Sequence, residues 1–396
     1  MFKVRADWSA GSRSARIVAL GIFLALFLKS VDKQLLPLFK PVLDAEFRWS
    51  DFQYAQLAAS SQLVGAISLL AAGQIVDRLA VRWALALAVL VWSVLTFGLL
   101  FAGGIVAFCL LRLLLSATES IGNPAALRLC SVALPPVWRP AAIAGINLAA
   151  CAGAIVGPVA VPALAAIWGW RGAAAIAGIC GFGWFIWWAW ATRGQHYSSA
   201  PVAAIRRESM PWTTDVWRLI CAKALTDQLW WAALYWLPDF FATRFDADGL
   251  EWGGAISLCF AAAAIGSLTA PKALRIKGLL TGACYVVVMM ILPMADQSRS
   301  LAWSVCFVAA ALFAHQVVST RIFLIICEDR FHAYTGTLAS ISAFAGHLLA
   351  FVTLQIVGIL IGGPGGYAAA FSLVAIAHLA GTALLAEARR DRAGPK

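Results

Sequence analysis

The chain has 396 residues, of which 62% are hydrophobic and 12% charged, with a formal net charge of +11 and a mean hydropathy of +0.83. A soluble domain carries about twice that charge fraction, so the composition excludes an ordinary soluble enzyme and points to a membrane-spanning chain. The positive charge is spread over short segments rather than gathered into one patch, which argues against nucleic-acid binding.

At the N-terminus, Lys3, Arg5, Arg13 and Arg16 precede an apolar run from Ile17 to Leu28. Lys29, Asp32 and Lys33 follow it in place of a small-residue cleavage site, so the run reads as a retained spanning helix rather than a cleaved signal. From there the apolar runs predict twelve spans, at 16–39, 52–76, 83–102, 104–129, 140–166, 172–192, 214–242, 252–273, 279–295, 301–327, 333–361 and 367–387. The longest polar stretch, 193–211, divides them six and six. The expected architecture is an all-α integral membrane protein, twelve transmembrane helices in two six-helix bundles. Residues 1–192 would form the N-terminal bundle, 193–213 a cytoplasmic central loop and 214–396 the C-terminal bundle, the layout of a two-bundle transporter.

Basic residues orient the chain. With a cytoplasmic N-terminus, one side holds Arg78 and Arg82, Arg139, Arg193, Arg206 and Arg207, Lys272, Arg275 and Lys277, Arg330 and the C-terminal group from Arg389 to Lys396. The opposite loops hold Lys40, Arg48, Arg171, Arg244 and Arg299, with acids such as Asp44, Asp51 and Asp296. That asymmetry follows the positive-inside rule and puts both termini in the cytoplasm, with the chain in the inner (cytoplasmic) membrane. The nine cysteines are scattered singly, with no C-x-x-C pair, so no disulfide framework and no metal site is expected. No cofactor is implied, and the absence of a nucleophile or metal-ligand motif in any loop argues against an enzyme.

The run 105–127 carries only two charges, Arg112 and Glu119. Seven positions put them on one helical face, about 10 Å apart along the axis. A charge at mid-bilayer depth is costly, so such residues usually face a polar interior on an ion or substrate pathway. The pair suits a carrier, with a cation to hold an anion and a carboxyl group to hold a proton.

The loop after the second span, Gly73-Gln-Ile-Val-Asp77-Arg78-Leu-Ala-Val-Arg82-Trp83, resembles the G-x-x-x-D-R-x-G-x-R loop of the major facilitator superfamily. Ala80 replaces its second glycine, and the matching stretch of the second half, Ala270 to Gly278, lacks the acid. The resemblance makes Gly73, Asp77, Arg78 and Arg82 a cytoplasmic gating motif. Arg112-Leu-Leu-Leu-Ser-Ala-Thr-Glu119 through Pro124 is similar to the fourth helix of the anion:cation symporter branch. Lys223-Ala-Leu-Thr-Asp227-Gln-Leu-Trp230-Trp231, with Tyr235, Trp236 and Pro238, resembles the seventh helix of hexuronate transporters, and His315-Gln316 with Ser319 fits the same subgroup.

That resemblance implies a proton-coupled symporter, acting as a monomer in the lipid bilayer by alternating access, that takes up an organic anion, a hexuronate or related sugar acid, together with protons. Asp32 and Glu119 would couple protons. Lys33 and Arg112 would attract the substrate carboxylate, and Gln228, Trp231, Tyr235, His315, Gln316, Ser319 and Ser340 would supply the polar and aromatic contacts that a hydroxyl-rich ligand needs. Arg321 and Lys29 depart from the branch pattern, and an extra cation would favour a dianion or a differently shaped acid. Bland readings stand beside these. Lys29, Asp32 and Lys33 fall at i, i+3 and i+4 and would neutralise one another. Asp227 would pair with Lys223, and Arg112 with Glu119 would be a structural pair. Gly153-Ala-Ile-Val-Gly157-Pro158 also resembles an exchanger signature, so a drug or anion exchanger and a carrier of aromatic or dicarboxylic acids remain alternatives.

Overall fold

The computed structural model describes residues 12–135, 138–194, 212–245, 249–273, 286, 289–326 and 335–390. Helices dominate, and no strand occurs among the described residues. In chain order they are α1 (Ser12–Lys33), α2 (Leu35–Phe47), α3 (Asp51–Arg78), α4 (Val81–Gly98), α5 (Ile105–Ala133), α6 (Arg139–Ala191), α7 (Thr214–Phe245), α8 (Gly249–Ala273), the short α9 (Met294–Gln297), α10 (Leu301–Ile326), α11 (Thr335–Ile361) and α12 (Gly366–Arg390).

Nine stretches among the described residues are long and apolar enough to cross a membrane. Two differences from the expected spans have physical causes. α7 falls outside the nine because it carries Asp215, Arg218, Lys223, Asp227, Asp239 and Arg244. Its sides from Val216 to Phe241 are nonetheless largely buried in protein, which lets a spanning helix keep polar groups. The expected span 279–295 lies mostly outside the described residues.

The chain divides into two compact units: Met1–Leu35 with Ile67–Ala203, and Leu36–Ala66 with Ala204–Lys396. In the first, α6 packs on α1 and α4, and α4 packs on α5. α6 is one unbroken element except at Gly169, where φ is 68° and ψ 169°. The packing shows that it doubles back there. A Cβ on Gly153 would lie 2.5 Å from Ser30 Cβ, and a Cβ on Gly21 would lie 2.3 Å from the Trp188 ring. A straight helix would set Gly153 and Trp188 about 50 Å apart, whereas Ser30 and Gly21 are about 14 Å apart on α1. The two arms of this hairpin match the expected spans 140–166 and 172–192. The dihedrals of Gly169 belong to a region that only glycine occupies without strain. Gly169→Ala is therefore expected to destabilise the protein by about 1–3 kcal/mol, read as a lower thermal midpoint in detergent, with no shift as the contrary result.

The arms are held by close approach and by indole donors. Ser30 Oγ donates to Ala150 O (2.7 Å), and Gln34 Nε2 donates to Gly153 O (2.9 Å). Gly153 and Gly157 thus serve as the smooth face against which Ser30 of α1 and Gln34 just beyond its end are seated. Trp184 stacks on Trp188, and their indoles donate to Gly21 O and Arg82 O, both at 3.0 Å.

The second unit is built around α7, which packs on α11 and α12 as well as α10, while α8 lies along α10. Its core gathers Val216, Leu219 and Ile220 from α7, Val318 and Ile322 from α10, Leu338 from α11 and Leu385 from α12.

Candidate functional site

In the first unit the charges predicted from the sequence come together. Asp32 and Lys33 sit in the last turn of α1, where the helix breaks at Gln34 before α2. Arg112 and Glu119 occupy the middle of α5. Asp32 and Glu119 are 4% exposed and Arg112 2%, while Lys29 and Lys33 are half-buried. Glu119 has Arg112, Lys33 and Lys29 as electrostatic neighbours, and Asp32 has Glu119 and Arg112.

Asp32 Oδ2 accepts from the Thr96 hydroxyl of α4 at 2.7 Å, while its Oδ1 makes no hydrogen bond. Arg112 Nε and Nη1 and Glu119 Oε1 make none either. Among the described residues no ion pair joins Lys29 to Asp32. Lys29 Nζ instead donates to Asn123 Oδ1 on α5 at 2.6 Å. Gly122 leaves room for it, since a Cβ there would stand 3.2 Å from Lys29 Cδ and 3.3 Å from the Trp92 ring. Buried polar atoms of charged groups left without a hydrogen bond, as Asp32 Oδ1, Arg112 Nε and Nη1 and Glu119 Oε1 are, carry a cost in stability.

In the second unit the predicted residues divide. Lys223 and Asp227 form the expected i,i+4 pair at 2.5 Å, with Ser319 Oγ 3.5 Å from Lys223 Nζ. Gln228 donates to Ala224 O (2.5 Å) and Gly346 O (3.4 Å), leaving its buried Oε1 without a hydrogen bond. Trp231 lies edge-on to His347. Tyr235 is buried, its hydroxyl accepting from Gln62 Nε2 at 2.9 Å. His315 is buried against Trp230, its Nδ1 3.0 Å from His378 Nε2 on α12. Gln316 and Arg321 are half-buried, and Ser340 is exposed.

Of the loop motif, Gly73 and Asp77 fall within α3, and the surroundings of Gly73 and the side chain of Asp77 lie outside what is described. Arg78 is exposed, and Arg82 covers the Trp83 ring at 4.7 Å and donates to Thr192 O at 3.4 Å.

The sequence profile of the Major Facilitator Superfamily matches residues 18–354. The chain belongs to the major facilitator superfamily. It is 22% identical over 377 residues to a probable L-galactonate transporter of Escherichia coli K12, covering 86% of this chain and 82% of that one. Among solved structures, an inward-facing, occupied bacterial homologue of the human lysosomal transporter Spinster superposes with a TM-score of 0.75, at 17% identity and 96% coverage of both chains. A D-xylose–proton symporter superposes with a TM-score of 0.74, at 13% identity, over 94% of this chain and 97% of that one. At such identities the superpositions show the fold alone, all-helical and multi-pass; it is the family match that makes the chain a membrane transporter and not an enzyme.

Three features of this transporter escaped the sequence reading. Lys40, expected in an outer loop, lies inside α2 and is 1% exposed. Its ammonium meets three carboxylates, Asp44 at 2.7 Å, Asp51 at 2.9 Å and Asp239 at 2.8 Å, and sits over the rings of Tyr54 and Trp236. Tyr367 OH donates to the other oxygen of Asp239, and Trp49 Nε1 to the other oxygen of Asp44. Arg128, on α5, donates to the carbonyls of Val76 and, at 3.1 Å, Leu79, closing the C-terminal end of α3. His378 is the buried partner that fixes the ring of His315. Apart from the Lys40–Asp44 pair within α2, the partners lie far away in sequence, so no local signal announces them.

Proposed function

We propose that this transporter is a proton-coupled symporter that takes up a hexuronate or related sugar acid by alternating access. The observation that carries this reading is the buried cluster of Asp32, Glu119, Arg112, Lys33 and Lys29, which joins proton-accepting carboxylates to anion-attracting cations on two membrane-spanning helices. The galactonate-transporter relative supports the sugar-acid class, and the xylose–proton symporter supports proton coupling as a chemistry that this fold hosts.

On this reading Asp32 and Glu119 take up the coupling protons, and Arg112 and Lys33 receive the carboxylate. Gln228, Trp231, Tyr235, His315, Gln316, Ser319, Arg321 and Ser340 remain the candidates for hydroxyl and ring contacts, with Gln228 best placed because its buried Oε1 makes no hydrogen bond. His378 presents His315 in a fixed orientation. Gly73, Asp77, Arg78 and Arg82 act as the cytoplasmic gating motif. We further place the chain in the inner membrane as a monomer with both termini cytoplasmic, its bundles 1–192 and 214–396 joined by the loop 193–213.

The test is uptake of labelled glucuronate and galactonate into proteoliposomes under an inward proton gradient. Accumulation above equilibration that collapses with a protonophore is the expected result. Failure of both acids to enter, in vesicles whose correctly folded protein is verified, overturns the sugar-acid reading.

A further inference from the structure

On the exposed side of the first unit, α1 and the second arm of α6 enclose a groove of about 410 Å3. Leu20, Leu24 and Leu28 line one wall, at successive four-residue steps along α1. Cys180, Gly183 and Trp187 line the other. The two helices run antiparallel here, since Gly21 packs against Trp188 while Leu28 shares the groove with Cys180. A Cβ on Gly183 would meet nothing within 4 Å, so the groove is open above it. The indole N–H of Trp184, which also lines it, already donates to Gly21 O. From Leu20 to Leu28 the slot runs about 12 Å along the helix and offers almost nothing but hydrocarbon.

One end of the groove is different. Arg16 lies one turn before Leu20 on the same ridge of α1, and Arg193 follows the end of α6, where its N–H bonds to Trp190 O. Both arginines are exposed, as is Trp190. Arg16 is five residues from Gly21 and Arg193 five from Trp188, so the two reach the same depth, about 8 Å past that contact. An apolar slot rimmed at one end by two guanidiniums and an exposed indole has the layout of a phospholipid. The chain lies along the helices, the indole sits at the level of the headgroup, and the arginines meet the phosphate. On the topology proposed above, that end faces the cytoplasm. We propose that the groove holds one acyl chain of an anionic phospholipid whose phosphate is bound by Arg16 and Arg193. The site is separate from the charged α1–α5 cluster, so it stands whatever substrate that cluster takes.

The test is photo-crosslinking of the full chain in phosphatidylcholine vesicles doped with a phosphatidylglycerol that carries a diazirine in one acyl chain, followed by peptide mapping. The expected result is labelling concentrated between Leu20 and Leu28 and between Cys180 and Trp187. Unlabelled dioleoyl phosphatidylglycerol should compete at least about tenfold better than dioleoyl phosphatidylcholine. Label spread evenly over the lipid-facing helices, or competed equally by the two lipids, would show bulk lipid only and overturn the proposal, and that comparison needs no variant. Two variants then separate chain from headgroup. Gly183→Leu places a side chain in the open groove and should remove the concentrated label. Arg16→Gln with Arg193→Gln should keep a label there but lose the preference for phosphatidylglycerol. Unchanged labelling in a correctly folded Gly183→Leu protein would rule the groove out, and an unchanged preference in the double variant would rule out the arginines.

Discussion

Glu119→Gln is expected to abolish uphill accumulation of substrate while leaving exchange of labelled for unlabelled substrate across the same vesicles. Coupling to one proton lets a one-unit pH difference hold an accumulation ratio of about 10, since a tenfold ratio and one pH unit are the same ~1.4 kcal/mol. Without the coupling carboxyl group the ratio should fall to about 1. Glutamine keeps the shape of the side chain in the middle of α5 but cannot gain and lose the proton. Each acid keeps one oxygen without a hydrogen bond, and Glu119 is the first to test because Arg112, Lys33 and Lys29 are all its electrostatic neighbours, whereas Asp32 has Arg112 alone among the cations. A proton arriving at Glu119 Oε1 displaces no existing bond. Persistent gradient-driven accumulation in the variant would show that the coupling proton rides elsewhere.

The largest effect on stability is expected at Lys40. Removing one partner of a buried ionic cluster leaves the others uncompensated and costs about 3–5 kcal/mol. Lys40→Met keeps much of the aliphatic stem over Tyr54 and Trp236 but strands Asp44, Asp51 and Asp239 around an apolar group. The thermal midpoint in detergent should fall sharply. Adding Asp239→Asn to Lys40→Met should recover part of the loss, because the damage comes from carboxylates left facing one another; residues in one network are not additive. Asp239 has Tyr367 as a second partner, so the recovery should be partial. A Lys40→Met protein that melts with its parent would rule the cluster out as a structural anchor.

Much of the fold was legible because apolar run length alone marks a spanning helix. The fifth and sixth spans were separable in the sequence at Trp168-Gly-Trp-Arg171, and the hairpin turns at Gly169. Lys223 with Asp227 was legible because four positions on a helix place the two side chains together. α1 and α5 charges were legible as polar residues inside apolar runs, and the structure gathers Asp32, Glu119, Arg112, Lys29 and Lys33 into one cluster. Lys40 was not. A lysine followed by Asp44, Glu46 and Asp51 reads as a solvated outer loop, and Asp239, the carboxylate that buries it, lies two hundred residues away on another helix. His315 was noted alone, since nothing local announces His378 on α12. Long-range partnerships between helices leave no periodic trace in a single chain.

The turn at Gly169 bears on how the protein is made and handled. Two apolar arms joined through one non-helical residue have no slack, so they must leave the insertion machinery as a pair, the second arm already lying beside the first when the turn has formed. The same shortness leaves an epitope tag nowhere to sit there without splitting the hairpin. The exposed stretch from Gly362 to Gly365, between α11 and α12, is the better place to graft a reporter that must leave both arms intact.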